Sequence, residues 1–178
     1  MATHAPAIAT ALLLLLAGAG ARAQEASPPA ADPAACTGFA WSLLREQAWF
    51  SAPGLPRVAS GATLPPEMPG AILMLEPAAR VDLPFPPSRE PKPGTYAGIL
   101  HLPAPMMPGQ YQVTLSERAW IDVSQDGRTP RPAGAHTMQV GCPVIAKSVR
   151  FQLGTAPITI VVSGAAGETI KIAVAPAE

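Results

Sequence analysis

The side chains able to do chemistry in this chain are few. They are two cysteines, Cys36 and Cys142, two histidines beyond the first residues, His101 and His136, and a thin scatter of carboxylates. A two-histidine, one-carboxylate iron site would need both histidines plus a carboxylate such as Glu76, Asp82 or Asp122. Neither histidine begins an H-x-D, H-x-E or H-x-H spacing, and no other cysteine is available to complete a zinc set. No metal and no cofactor is therefore expected. Ala59-Ser60-Gly61 lacks the first glycine of a nucleophile elbow, and neither a P-loop nor a G-x-G-x-x-G run is present. Asp122 and Asp126 flank one turn, where Asp126 most simply serves the Asp126-Gly127 bend. No catalytic residue is assigned.

The cysteines have a different use. Residues 7–19 form an apolar block centred on the leucines 12–16, too short to span a bilayer comfortably. Ala21-Arg22-Ala23 follows as a small-x-small cleavage site, although residues 1–6 carry no Lys or Arg. This anatomy is that of a secretory signal peptide over residues 1–23, cut before Gln24. Export places the protein in the periplasm or outside the cell, where Cys36 and Cys142 are expected to form one disulfide. Cleavage removes Arg22 alone among charged residues, leaving 11 basic against 12 acidic side chains. That balance gives no reason to expect a nucleic acid or an anionic membrane as partner. No later segment reads as a membrane span.

Positioning elements come from the alternation. In residues 110–116, Tyr111, Val113 and Leu115 oppose Gln110, Gln112 and Thr114. In 119–124, Ala119, Ile121 and Val123 oppose Trp120 and Asp122. Val149, Phe151 and Leu153 alternate through 148–153, and Ile170, Ile172 and Val174 through 169–174. Residues 158–163 are apolar on both sides, which suits a central strand. Period two over short runs marks strands with one buried face. Glu117-Arg118 is short enough for a hairpin, and Asp126-Gly127 and residues 164–167 are turn signals. The fold class is mainly β: an antiparallel, jelly-roll-like β-sandwich with one N-terminal helix.

Around this core, residues 24–35 read as a disordered leader, and residues 36–178 as a single domain. Residues 39–50 are the helix candidate, with Trp41, Leu44 and Ala48 inward and Arg45-Glu46 opposite. Strands are expected at 71–75, 80–83 and 95–102; the proline-rich segment 84–93 is expected to be a solvated loop. Met106-Met107, set between prolines, is expected to plug into the core. Trp120 should point outward beneath the helix or a loop. The candidate ligand-binding residues are Trp120, Trp41, Trp49 and His136.

Two stretches carry a resemblance. Residues 110–127, QYQVTLSERAWIDVSQDG, and 135–153, AHTMQVGCPVIAKSVRFQL, resemble a group of small exported proteobacterial proteins of uncharacterised function. The shared pattern covers Gly109, Tyr111, Val113 and Leu115, then residues 119–123, His136, Cys142 and the strand from Lys147 to Leu153. Some of that group carry a homogentisate dioxygenase label, against which the ligand supply above argues. The pattern is also similar to pre-peptidase C-terminal and galactose-binding-like sandwiches, which implies an accessory or binding module. The expected function is thus a non-enzymatic, exported binding module whose partner is an envelope protein or a glycan. Alternatives are an assembly subunit docking through its Pro-rich loops, or a metal-dependent, cupin-like enzyme built on His101 and His136.

Overall fold

A computed structural model of the chain describes residues 1–2 and 36–178. The expected signal peptide and leader therefore fall, apart from Met1 and Ala2, outside the described residues. The elements below lie within one compact unit, Ala31–Glu178.

Strands are numbered in chain order. One sheet runs β1 (Arg57–Val58), β3 (Gly70–Met74), β11 (Thr169–Pro176), β6 (Gly109–Leu115), β9 (Lys147–Leu153), β8 (Ala133–Met138). The second runs β2 (Ala62–Thr63), β5 (Tyr96–Leu102), β10 (Ile158–Ala165), β7 (Trp120–Ser124), with β4 (Glu76–Pro77) also on β5. The short β1 and β2 pair in parallel with their neighbours; every other pairing is antiparallel. Val113, Leu115, Val149, Phe151, Leu153, Ile170 and Ile172 from the first sheet meet Leu100, Ile121, Val123, Ile160 and Val162 from the second in one buried cluster. Every second side chain thus fills the space between two layers, the sandwich the alternation predicts. β10 lies between β5 and β7, and its outward Val161 is fully buried.

The winding is that of a jelly roll with its innermost turn opened. β3, β5 and β6 pair in nested order with β11, β10 and β9, the doubled ribbon of that fold. The next pair inward would be β7 with β8. Instead β8 adds to β9 on the other sheet, so among the described residues β7 has β10 as its one strand neighbour. The expected hairpin at Glu117-Arg118 is therefore absent: β6 and β7 belong to different sheets, and this link crosses between layers. Two-residue spacing fits either geometry, and nested pairing decides it. At the next bend Gly127 takes a φ of 69°, and Asp126 Oδ1 accepts from the backbone N–H groups of Arg128 and Thr129 at 2.8 Å each. Those two bonds, Thr129 before Arg128, and one from Ser124 hold the Asp126 carboxyl well below the ordinary carboxylate range.

The N-terminal cap departs from expectation in length and in face. The helix α1 spans Leu44–Ser51, and buries Glu46 and Phe50 together with the preceding Leu43, while Leu44 is 73% exposed. The surface it covers explains this. On the outer side of the six-stranded sheet lie Ala173, Thr114, Ser148 and Thr137 in one cross-strand row, and Gln112 beside them, all buried. A polar surface accepts a carboxylate: Glu46 Oε1 receives Gln112 Nε2 at 2.8 Å and Arg45 Nη2 at 2.9 Å. Leu43, Phe50, Ile145 and Ala173 pack around the bridge Cys36–Cys142, whose Cα atoms are 4.7 Å apart.

Three loop expectations are corrected. Residues 80–83 form no strand, and the chain makes a single 3-10 turn at Ala78–Arg80; prolines 84, 86 and 87 withdraw the donors that would extend a ladder. Segment 84–93 is not simply solvated, because Phe85 is 3% exposed and Ser88 bonds Asp122 through both its backbone N–H and its hydroxyl. Met106 and Met107 are 97% and 72% exposed rather than a plug. Among the described residues no helix is long and apolar enough to cross a membrane.

Candidate functional site

Where the innermost turn of the jelly roll is opened, the described residues form a cleft. It lies at the start of edge strand β7, has a volume of ≈ 340 Å³, and is lined by Trp120, Ser163, Lys147, Met138 and the loop around Arg89 to Thr95. Each wall has a local cause. Trp120 and Ser163 are cross-strand partners on β7 and β10, on the face that Val161 and Asp122 share. Lys147 and Met138, partners on β9 and β8, bring a second wall from the other sheet. The third wall is the 88–95 segment, pinned because Asp122, 3% exposed, receives Ser88.

Trp120 is half-buried and fixed at its polar end, Nε1 donating to Ser88 Oγ at 2.6 Å. Two cations lie over its indole: Lys147 Nζ at 4.7 Å and Arg89 Cζ at 5.1 Å from the ring centroid. Such contacts contribute roughly 0.5–2 kcal/mol each, more where water is excluded. Lys147 is 8% exposed and donates to the Ala119 carbonyl at 3.1 Å. Burial pushes its pKa down; the Asp122 carboxylate opposes that shift and the Arg89 guanidinium adds to it. Ser163 is 1% exposed, and its hydroxyl has no hydrogen-bond partner among the described residues. A buried hydroxyl with no partner costs about 1–3 kcal/mol, so a cleft lined by one is poised to gain on receiving an acceptor.

The other residues singled out by sequence are not drawn to this cleft. Trp41 and Trp49 are half-buried in the N-terminal cap, beneath Arg150 (4.2 Å) and Arg45 (5.1 Å) respectively. Trp49 also borders a shallow cleft of ≈ 220 Å³ with Leu55 and Met68. His136 is exposed on β8 opposite Val149, in the six-stranded sheet. His101 lies in the other sheet, its Nδ1 3.2 Å from Thr159 Oγ1. Among the described residues no three His, Cys, Asp or Glu gather as a metal set.

Sequence reasoning found Trp120 and missed Lys147, Arg89, Arg118 and Ser163. One signal was available for Lys147. Counted back from Leu153 through Phe151 and Val149, Lys147 falls on the inward register of its strand. A cation at an inward position is an exception that asks for a reason. Arg89 and Arg118 lie on loops with no periodicity to read. No protein-family model, curated protein or solved structure matches the chain.

Proposed function

We propose that this chain is an exported, non-enzymatic binding or accessory module of the cell envelope, and that it meets its ligand in the cleft at Trp120. The observation that carries the reading is a concave, aromatic-lined site whose polar groups are only partly satisfied from within. Ligand sites are typically clefts of about this size with a few convergent polar groups. The Cys36–Cys142 bridge supports the exported setting, since such bonds persist in oxidising compartments. The test is a panel of envelope glycans and purified envelope proteins offered to wild type and to Trp120→Ala. Binding abolished by Trp120→Ala, and retained by Trp41→Ala in the cap, is the expected result. Equal binding by a correctly folded Trp120→Ala refutes the assignment.

A second reading is favoured by one observation. Met106 and Met107 stand out of a Pro-flanked loop, as in a subunit that docks a partner through adaptable side chains. Loss of a co-purifying, crosslinkable envelope protein in Met106→Ser/Met107→Ser, with Trp120→Ala unaffected, would select it.

A further inference from the structure

Charge is unevenly placed on this molecule. The chain as a whole carries 12 basic and 12 acidic side chains. The Trp120 cleft alone is lined by Arg89, Lys92, Arg118 and Lys147 against a single carboxylate, Glu90. Asp122 lies behind Trp120, and its oxygens are already occupied by Ser88. Four cations crowded over one small cleft repel each other, and Lys147 has lost most of its water. Among the described residues only one of its three N–H donors is accounted for, by the Ala119 carbonyl. The Ser163 hydroxyl in the same cleft also lacks an acceptor.

The balance of the cleft is positive: four cations face one carboxylate, and the Ser163 hydroxyl is free to donate. The indole already carries Lys147 and Arg89 over its ring, which argues against a neutral sugar ring stacked on Trp120. We propose that the cleft is an oxyanion site: it takes a carboxylate, phosphate or sulfate group, held by Lys147 and the Ser163 hydroxyl and screened by Arg89 and Arg118. The volume of ≈ 340 Å³ admits a small acidic ligand or the charged end of an acidic chain. The proposal rests on the cleft being the module's ligand site, and names the chemistry of what enters it.

The disulfide-intact protein is titrated with inorganic phosphate, sulfate, acetate, glucuronate, a sugar phosphate and neutral glucose, followed by calorimetry and by tryptophan fluorescence. Saturable binding of at least one oxyanion, weakened by added sodium chloride and absent for glucose, is expected. Comparing glucuronate and a sugar phosphate with the inorganic ions separates a saccharide-borne group from a free one. Ser163→Ala removes a hydroxyl that has no partner, so folding survives, while affinity falls about tenfold. Arg118→Ala, an exposed substitution, lowers affinity several-fold. No oxyanion binding at millimolar concentration, or affinity unchanged in both Ser163→Ala and Arg118→Ala, overturns the proposal. Glucose binding that Trp120→Ala abolishes would overturn the oxyanion assignment and leave the binding module standing.

Discussion

Removing the Cys36–Cys142 bridge, by Cys36→Ala with Cys142→Ala, is the sharpest test of how the two parts of this fold depend on each other. The bridge joins positions 106 residues apart. Closing a loop of that length restricts the unfolded chain by about 4.8 kcal/mol in the chain-entropy model, and measured losses run from about 2 to 5 kcal/mol. The smaller cavities left by alanine at two buried positions add to this. Domains of this size are stable by about 5–15 kcal/mol, so the loss takes about a third of the margin at the upper end of that range and nearly all of it at the lower.

The structure also says where the loss shows first. The sandwich interior is one cluster that contains neither cysteine; the second cluster, under α1, contains both. With the bridge gone, the cap is held by Phe50, Leu43, the Glu46–Gln112 contact, and Lys171 Nζ donating to the Phe50 carbonyl at 2.5 Å. Urea unfolding should be followed by tryptophan fluorescence and by far-ultraviolet circular dichroism on the same samples. In a Trp120→Phe background Trp41 and Trp49 report the cap, while strand content reports the sandwich. The expected result is a midpoint lowered by roughly 1–2 M, with the fluorescence transition preceding the dichroism transition. An unchanged midpoint with coincident transitions would refute the argument that the bridge clamps the cap onto the sheet.

Three further outcomes follow from single contacts. Glu46→Ala strands the buried Gln112 amide and should cost about 1–3 kcal/mol, read as a lowered urea midpoint that Glu46→Gln largely restores. Gly98→Ala places a Cβ 2.7 Å from Leu75 Cδ2 in the core of β5 and should cost about 1–3 kcal/mol by overpacking, seen as a lower melting temperature. Because burial lowers the Lys147 pKa in the folded state, the unfolded chain holds more protons between that value and the free-chain 10.5. Stability should therefore rise with pH across that window, and Lys147→Met should remove the rise in urea titrations at successive alkaline pH values.

The strands were legible because each carries its own evidence. Val113 and Leu115, or Ile170 and Ile172, announce a buried face within a few residues, and all four lie in the shared interior. The connections were not, because a two-residue link such as Glu117-Arg118 says nothing about whether the next strand lies beside the last one or across the core. That is settled by pairings such as β6 with β9, far apart in the chain. The cap failed for a related reason. Glu46 looked like a solvent-facing residue, and is buried because the sheet beneath presents Gln112 rather than an apolar side chain. Alternation marks which side chains leave the core; it does not reveal that a second layer covers them.

The same limit accounts for the site. Trp120 was readable as an outward aromatic, but its partners arrive from four separate segments: Ser88 and Arg89 from a loop, Arg118 from a crossover, Lys147 from β9, and Ser163 from β10. None of them is unusual alone. What makes them a site is the displacement of β8 onto β9, which leaves β7 with a free flank for the loop and for Lys147 to close over. In a fully wound jelly roll β8 would lie along that flank, and the space holding these cations would be filled by backbone. The cleft is thus a consequence of one strand's choice of neighbour, and its positive character joins the lysine that strand pairing turns inward to Arg89, Lys92 and Arg118 from the segments around it.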